Sequence, residues 1–139
     1  MDGLATFAWV WILLGLLSGV WMGLWFHDDR WLGGYGAWRR RMVRLGHVSF
    51  FGTGGLCLML AMSERTWFGV SQTSAAFWLL AGSVLMPAVC FLSAWRKPFR
   101  HLFALPVCSL VWGVTTYTVG NVTHHCQVLA DWYDAVMGV

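Results

Sequence analysis

The sequence predicts an all-α integral membrane protein: an antiparallel four-helix bundle with a short amphipathic C-terminal helix lying on one bilayer surface. Three observations predict it. Hydrophobic residues make up 58% of the 139, charged residues 11%, and mean hydropathy is +0.61. A soluble domain carries about a quarter of its residues charged, so this chain cannot cover its own surface and lipid must do so. Four apolar runs are each long enough to cross a hydrocarbon core of about 30 Å, which takes about 20 residues in a helix. Threading them through a bilayer then places eight of the nine basic residues on one side. The same composition excludes a disordered chain, a collagen-like rod, a secreted disulfide scaffold and a nucleic-acid-binding domain.

The first run, residues 4–26, contains no charge. Asp2 stands where a signal peptide would have a basic cluster, and His27-Asp28-Asp29-Arg30 follows instead of a small-residue cleavage site. It therefore reads as a retained helix. Gly15, Gly19 and Gly23 form a small-xxx-small ladder along one face, with Ser18 beside it. Such a ladder lets a second backbone approach closely, from within the chain, from a second copy, or from a larger membrane complex. The second helix is expected at 45–62, after an Arg-rich loop (27–44), and the third at 74–95, after a short turn. The fourth is expected at 98–122, after the basic joint Arg96-Lys97-Pro98. These runs are too long and continuous for alternating barrel strands, and short connections favour antiparallel neighbours. No period of 20–50 residues repeats, so residues 1–139 read as a single transmembrane domain. Pro87 and Pro106 are expected to free the carbonyls of Ser83 and Leu102 and bend their helices. In the last segment, 127–137, Val128, Leu129, Trp132, Tyr133 and Val136 fall on one face, as in a helix lying at the interface.

Charge fixes the expected orientation. Arg30, Arg39, Arg40, Arg41, Arg44, Arg96, Lys97 and Arg100 lie on one side, and Arg65 alone on the other. By the positive-inside rule the Arg-rich loops are cytoplasmic and both termini extracytoplasmic, as in a bacterial inner membrane. The tryptophans fit that frame: Trp9, Trp11, Trp67 and Trp132 fall near the outer boundary, and Trp25, Trp31, Trp38 and Trp95 near the inner one. Indole favours that depth because its ring is apolar and its N–H needs a partner.

Candidate chemistry is sparse. No phosphate-binding loop, nucleophile elbow, zincin helix or Cys-x-x-Cys pair occurs, and no carboxylate or base lies mid-helix as a proton pump requires. Cys57, Cys90, Cys108 and Cys126 are widely spread and read as small apolar fillers. His124-His125-Cys126 has the donor types of a soft metal site, but neighbouring helical residues point about 100° apart. Three histidines stand out at the inner boundary: His27 ends the first helix, His47 opens the second and His101 opens the fourth.

These imidazoles admit three chemistries. They are solvated interfacial groups, or axial ligands of a b-type haem, or ligands of copper, iron or zinc. In the haem case His47 and His101 form the axial pair and His27 is the substitute. Gly23 and Gly54 leave room for the ring, and Arg44 and Arg100 meet the propionates. In helix count and rim histidines the arrangement resembles the four-helix b-type cytochromes of membrane electron transfer. That resemblance implies electron transfer to a quinone or a larger oxidoreductase. The competing expectation is a cofactor-free accessory or assembly subunit of a larger, respiratory-type membrane complex. A third is a membrane enzyme or lipid-binding protein using the Arg-rich rim, although no nucleophile or acid–base pair is visible for it.

Overall fold

The computed structural model of the protein describes residues 2–63 and 73–138. Among them the chain is all-helical apart from short connections, without strands. The order is α1 (Asp2–Trp25), a 3-10 turn η1 (Trp31–Gly33), α2 (Trp38–Ser63), α3 (Thr73–Trp95), a 3-10 segment η2 (Lys97–Phe103) and α4 (Ala104–Met137). Four helices are long and apolar enough to cross a membrane, and the chain is an integral membrane protein. The connection carrying Glu64, Arg65 and Trp67 lies outside the described residues.

The helices pack in chain order, α1 on α2, α2 on α3 and α3 on α4. The central pair therefore buries more of its surface than the flanking helices. Leu4 and Ala8 of α1, Cys57, Leu60 and Ala61 of α2 and Leu79 of α3 form the core cluster. Leu110 and Tyr117 of α4 pack against it. Between these helices lipid gives no hydrophobic drive, so close approach and hydrogen bonds must hold them. A Cβ at Gly15 would stand 3.0 Å from Cβ of Phe50, and one at Gly54 would stand 3.1 Å from Cγ1 of Ile12. At the α3–α4 contact Gly82 receives Leu110, while Gly113 receives Leu79. Trp11 Nε1 donates to Thr53 Oγ1 at 3.2 Å, Cys57 Sγ lies 3.4 Å from Ser83 Oγ, and Ser109 Oγ donates to the Trp78 carbonyl at 2.8 Å.

Three boundaries differ from the sequence expectation. First, α2 starts at Trp38 rather than near 45 and takes Arg39, Arg40, Arg41 and Arg44 into its first turns. Arginine is a good helix former, and a helix whose charged turns reach the headgroups loses nothing by continuing. Second, α4 starts at Ala104, because Pro98 opens a separate 3-10 segment. Pro106 is then the third residue of α4, where a backbone N–H has no intrahelical acceptor, so the bend expected there is not required. Pro87 does lie inside α3 and is buried.

The third difference is at the C-terminus. Residues 127–137 are helical, but they continue α4 without a break instead of forming a separate surface helix. No stop signal separates them: Thr123 Oγ1 donates back to the carbonyls of Val119 and Gly120 at 3.0 and 2.9 Å. Bonded within the helix, that hydroxyl does not compete for its end. The helix stops at Gly138, in the left-handed region at φ 71°, whose N–H caps the Asp134 carbonyl at 3.0 Å.

Candidate functional site

The early start of α2 changes the surroundings of His47. It sits nine residues past Trp38, about 13 Å along the helix, and is half-buried against α1. Ser18 Oγ lies 2.8 Å from its Nδ1 and also donates to the Gly15 carbonyl at 2.8 Å. With the single hydroxyl proton on Gly15, Nδ1–H donates to Ser18 and Nε2 keeps its lone pair. Helix α1 covers that edge. A Cβ at Gly19 would stand 2.7 Å from Cε1 and 3.3 Å from Nε2 of His47, and the Phe51 ring meets the imidazole edge-on at 5.3 Å. Gly19 thus lets α1 approach the Cε1 edge of His47 more closely than any residue with a Cβ would.

The other predicted residues are placed apart from this contact. His101 is exposed on η2, with the Arg100 Nε 3.5 Å from its Nε2. His27 is exposed just after α1 and lines an open cavity of about 490 Å3 with Leu24, Trp25 and Asp28, without a second imidazole. Gly23 faces open space, whereas Gly54 is filled by Ile12 and the Ala8 carbonyl. Gly15 and Gly19 are likewise met from within the chain, by Phe50 and Phe51 and by His47. Among the described residues no group of three His, Cys, Asp or Glu side chains is placed to hold a metal ion. His124 and His125 meet ring to ring at 6.3 Å on α4.

The feature that sequence inspection missed is Arg40. It is 2% exposed, yet it sits in the Arg-rich run that the sequence reads as a loop. Its guanidinium lies 5.1 Å from the Phe26 ring centre, 5.6 Å from Trp31 and 5.3 Å from Tyr35. Nη2 donates to the Phe26 carbonyl at 3.2 Å. Arg44, one turn on, covers the same Tyr35 ring at 4.6 Å and donates to the Tyr35 carbonyl at 3.3 Å. A delocalised, weakly hydrated guanidinium suits such a cage better than an ammonium. The pair folds the 27–37 connection onto α2. Arg44 is thereby engaged with Tyr35 rather than turned toward either histidine. The available signal was spacing: Arg40 and Arg44 share a face, and Phe26, Trp31 and Tyr35 crowd a connection of twelve residues.

Arg39, Arg41, Arg96 and Lys97 make no ion pair with any described carboxylate. The C-terminal end of α3 is closed by an indole: Trp38 Nε1 donates to the Ser93 carbonyl at 2.9 Å, one of the four that a helix end leaves unbonded. No protein-family model, no curated protein and no solved structure matches the chain.

Proposed function

We propose that the protein is a cofactor-free accessory or assembly subunit of a larger membrane complex. In this reading it docks through the outer end of α4, with its Arg-rich connections cytoplasmic and its termini outside. One observation carries it. Helix α4 runs unbroken for 34 residues, which at about 1.5 Å per residue is about 51 Å, some 20 Å more than the hydrocarbon core.

Its buried residues, Pro106, Ser109 and Gly113, all lie in the first third. Beyond the bilayer the helix is amphipathic at helical spacing. Val122, Cys126, Leu129, Trp132, Tyr133 and Val136 share one face, and Thr123, Gln127, Asp131 and Asp134 the other. Leu129, Trp132 and Val136 are each more than 60% exposed. Apolar side chains kept on a projecting helix mark an interaction face, and aromatic residues are the commonest anchors at such faces.

The test is photo-crosslinking of the full chain in native membranes, with a benzophenone side chain at Leu129, Trp132 or Val136. Adducts to another membrane protein from the apolar-face positions, and none from Asp131, are expected. An adduct of about twice the chain's 15.7 kDa would replace the subunit by a homodimer, and labelling of lipid alone would end the proposal. Purified protein is expected to be colourless; a Soret band would restore the haem expectation.

A further inference from the structure

We propose that the inner rim holds a binding groove for one anionic phospholipid, between η1, the first turn of α2 and the last turn of α3. Two cavities meet there. The outer, of about 470 Å3, is lined by Leu32, Ala37, Trp38, Arg39, Trp95 and Lys97 among others. The inner, of about 260 Å3, shares Leu32, Arg39, Ala94 and Trp95 and adds Phe91, one turn deeper on α3. Together they form one open groove of mixed polar and apolar lining, with its mouth at Lys97 and its far end at Phe91, a form that takes a headgroup and the start of an acyl chain. The mouth alone falls within the roughly 300–1,000 Å3 of small-ligand sites.

Charge identifies the headgroup. Arg39 of α2 and Lys97 of η2 both line the mouth, and neither has a carboxylate partner among the described residues. The Ser93 carbonyl, which would repel a phosphate at this helix end, is covered by the Trp38 indole. A phosphate diester receives two cations here, the guanidinium as a two-pronged donor and the ammonium as a point charge. The ammonium of a choline or ethanolamine headgroup would find no acid in the lining. The fit is thus to a headgroup whose only charge is its phosphate, with an acyl chain laid along Phe91 and Trp95. Trp95, 78% exposed, stands at the depth where indole meets the ester region.

Native mass spectrometry of the detergent-solubilised full chain tests this. Phosphatidylglycerol, phosphatidylcholine and inorganic phosphate are each titrated against the protein, its Arg39→Gln/Lys97→Gln variant and an Arg30→Gln/Arg41→Gln control that removes equal charge elsewhere. Both altered pairs are exposed, so the fold is expected to survive, as far-ultraviolet circular dichroism will verify. Expected is a single phosphatidylglycerol adduct, preferred over phosphatidylcholine, with affinity lowered tenfold or more in the groove variant and less than threefold in the control. Equal losses in the two variants would mean diffuse charge attraction and overturn the groove. Equal binding of phosphatidylcholine would overturn the headgroup assignment. Competition by inorganic phosphate at matching concentration would show a free-anion site instead of a lipid one.

Discussion

Replacing Gly82 with alanine should separate α3 from α4. A Cβ built there would stand 2.6 Å from Cγ and 2.7 Å from Cδ2 of Leu110, and 3.1 Å from the Leu110 backbone nitrogen. Carbon atoms in contact prefer about 3.5–4.0 Å, so the deficit is about 1 Å. A rotamer change of Leu110 relieves the side-chain contacts but not the one to its backbone, so the helices themselves must part. Overpacking of this kind costs about 1–3 kcal/mol, offset by the roughly 0.5–1 kcal/mol that alanine gains over glycine in a helix. A net loss of about 1–2 kcal/mol remains, a factor of about 5–30 in the folding equilibrium. Gly55→Ala supplies the control, since nothing lies within 4 Å of its Cβ position, and it should be neutral or slightly stabilising. Reversible unfolding in mixed micelles of rising SDS fraction, followed by tryptophan emission, measures both. Because Gly113 receives Leu79 in the same interface, Gly113→Ala combined with Gly82→Ala should lose less than the sum of the two. Equal stability of Gly82→Ala and Gly55→Ala would refute the close approach from which all this is argued.

Three further perturbations probe other parts of the molecule. Ser18→Ala leaves Nδ1 of half-buried His47 without its partner and should cost about 1–2 kcal/mol in the same unfolding assay, whereas Ser18→Thr should retain most of the stability; indistinguishable variants would mean the hydrogen bond contributes nothing. Arg40→Lys keeps the charge but loses the planar stack on three rings, each contact worth about 0.5–1 kcal/mol, so trypsin should cut the 27–37 connection several times faster, and an unchanged rate would show that the cage does not hold it. Cys57 and Cys90 are buried whereas Cys108 and Cys126 are exposed, Cys126 on the C-terminal part of α4 that is proposed to lie outside; in a Cys108→Ala background a membrane-impermeant maleimide added to spheroplasts should modify Cys126 and spare Cys57 and Cys90, and labelling only after lysis would invert the orientation.

Much of the architecture was legible because lipid imposes a simple rule: whatever crosses it must be apolar for about 20 residues. That rule yields four helices but is silent about their ends. Arg39, Arg40, Arg41 and Arg44 read as a loop because charge ends an apolar run, yet arginine favours helix and α2 simply begins earlier. The C-terminal segment read as a separate element because hydropathy falls after Val122, although the backbone has no reason to stop before Gly138. Which faces meet is less legible still. The glycine ladder of α1 pointed correctly to close packing, but only the folded chain shows Gly19 meeting the edge of His47 and Gly23 meeting nothing. The three histidines shared a boundary in sequence; shared depth does not fix rotation about a helix axis, and rotation decides whether imidazoles converge. Arg40 was hidden for the opposite reason, since its partners are aromatic rings rather than carboxylates.

The two ends of the molecule obey different physics, and that separates the two proposed contacts. At the inner rim the groove presents Arg39 and Lys97 without carboxylates, so attraction there is largely Coulombic and is screened as the Debye length falls from about 10 Å at 0.1 M salt to about 3 Å at 1 M. At the outer end the face of Leu129, Trp132, Tyr133 and Val136 is uncharged, and a partner held there by apolar burial is insensitive to salt or strengthened by it. Raising the salt during solubilisation should therefore strip the phospholipid adduct while the outer partner stays bound. If both were lost together over the same salt range, the acids Asp131 and Asp134 on the opposite face of α4 would be the real docking surface, and the apolar stripe would face lipid after all.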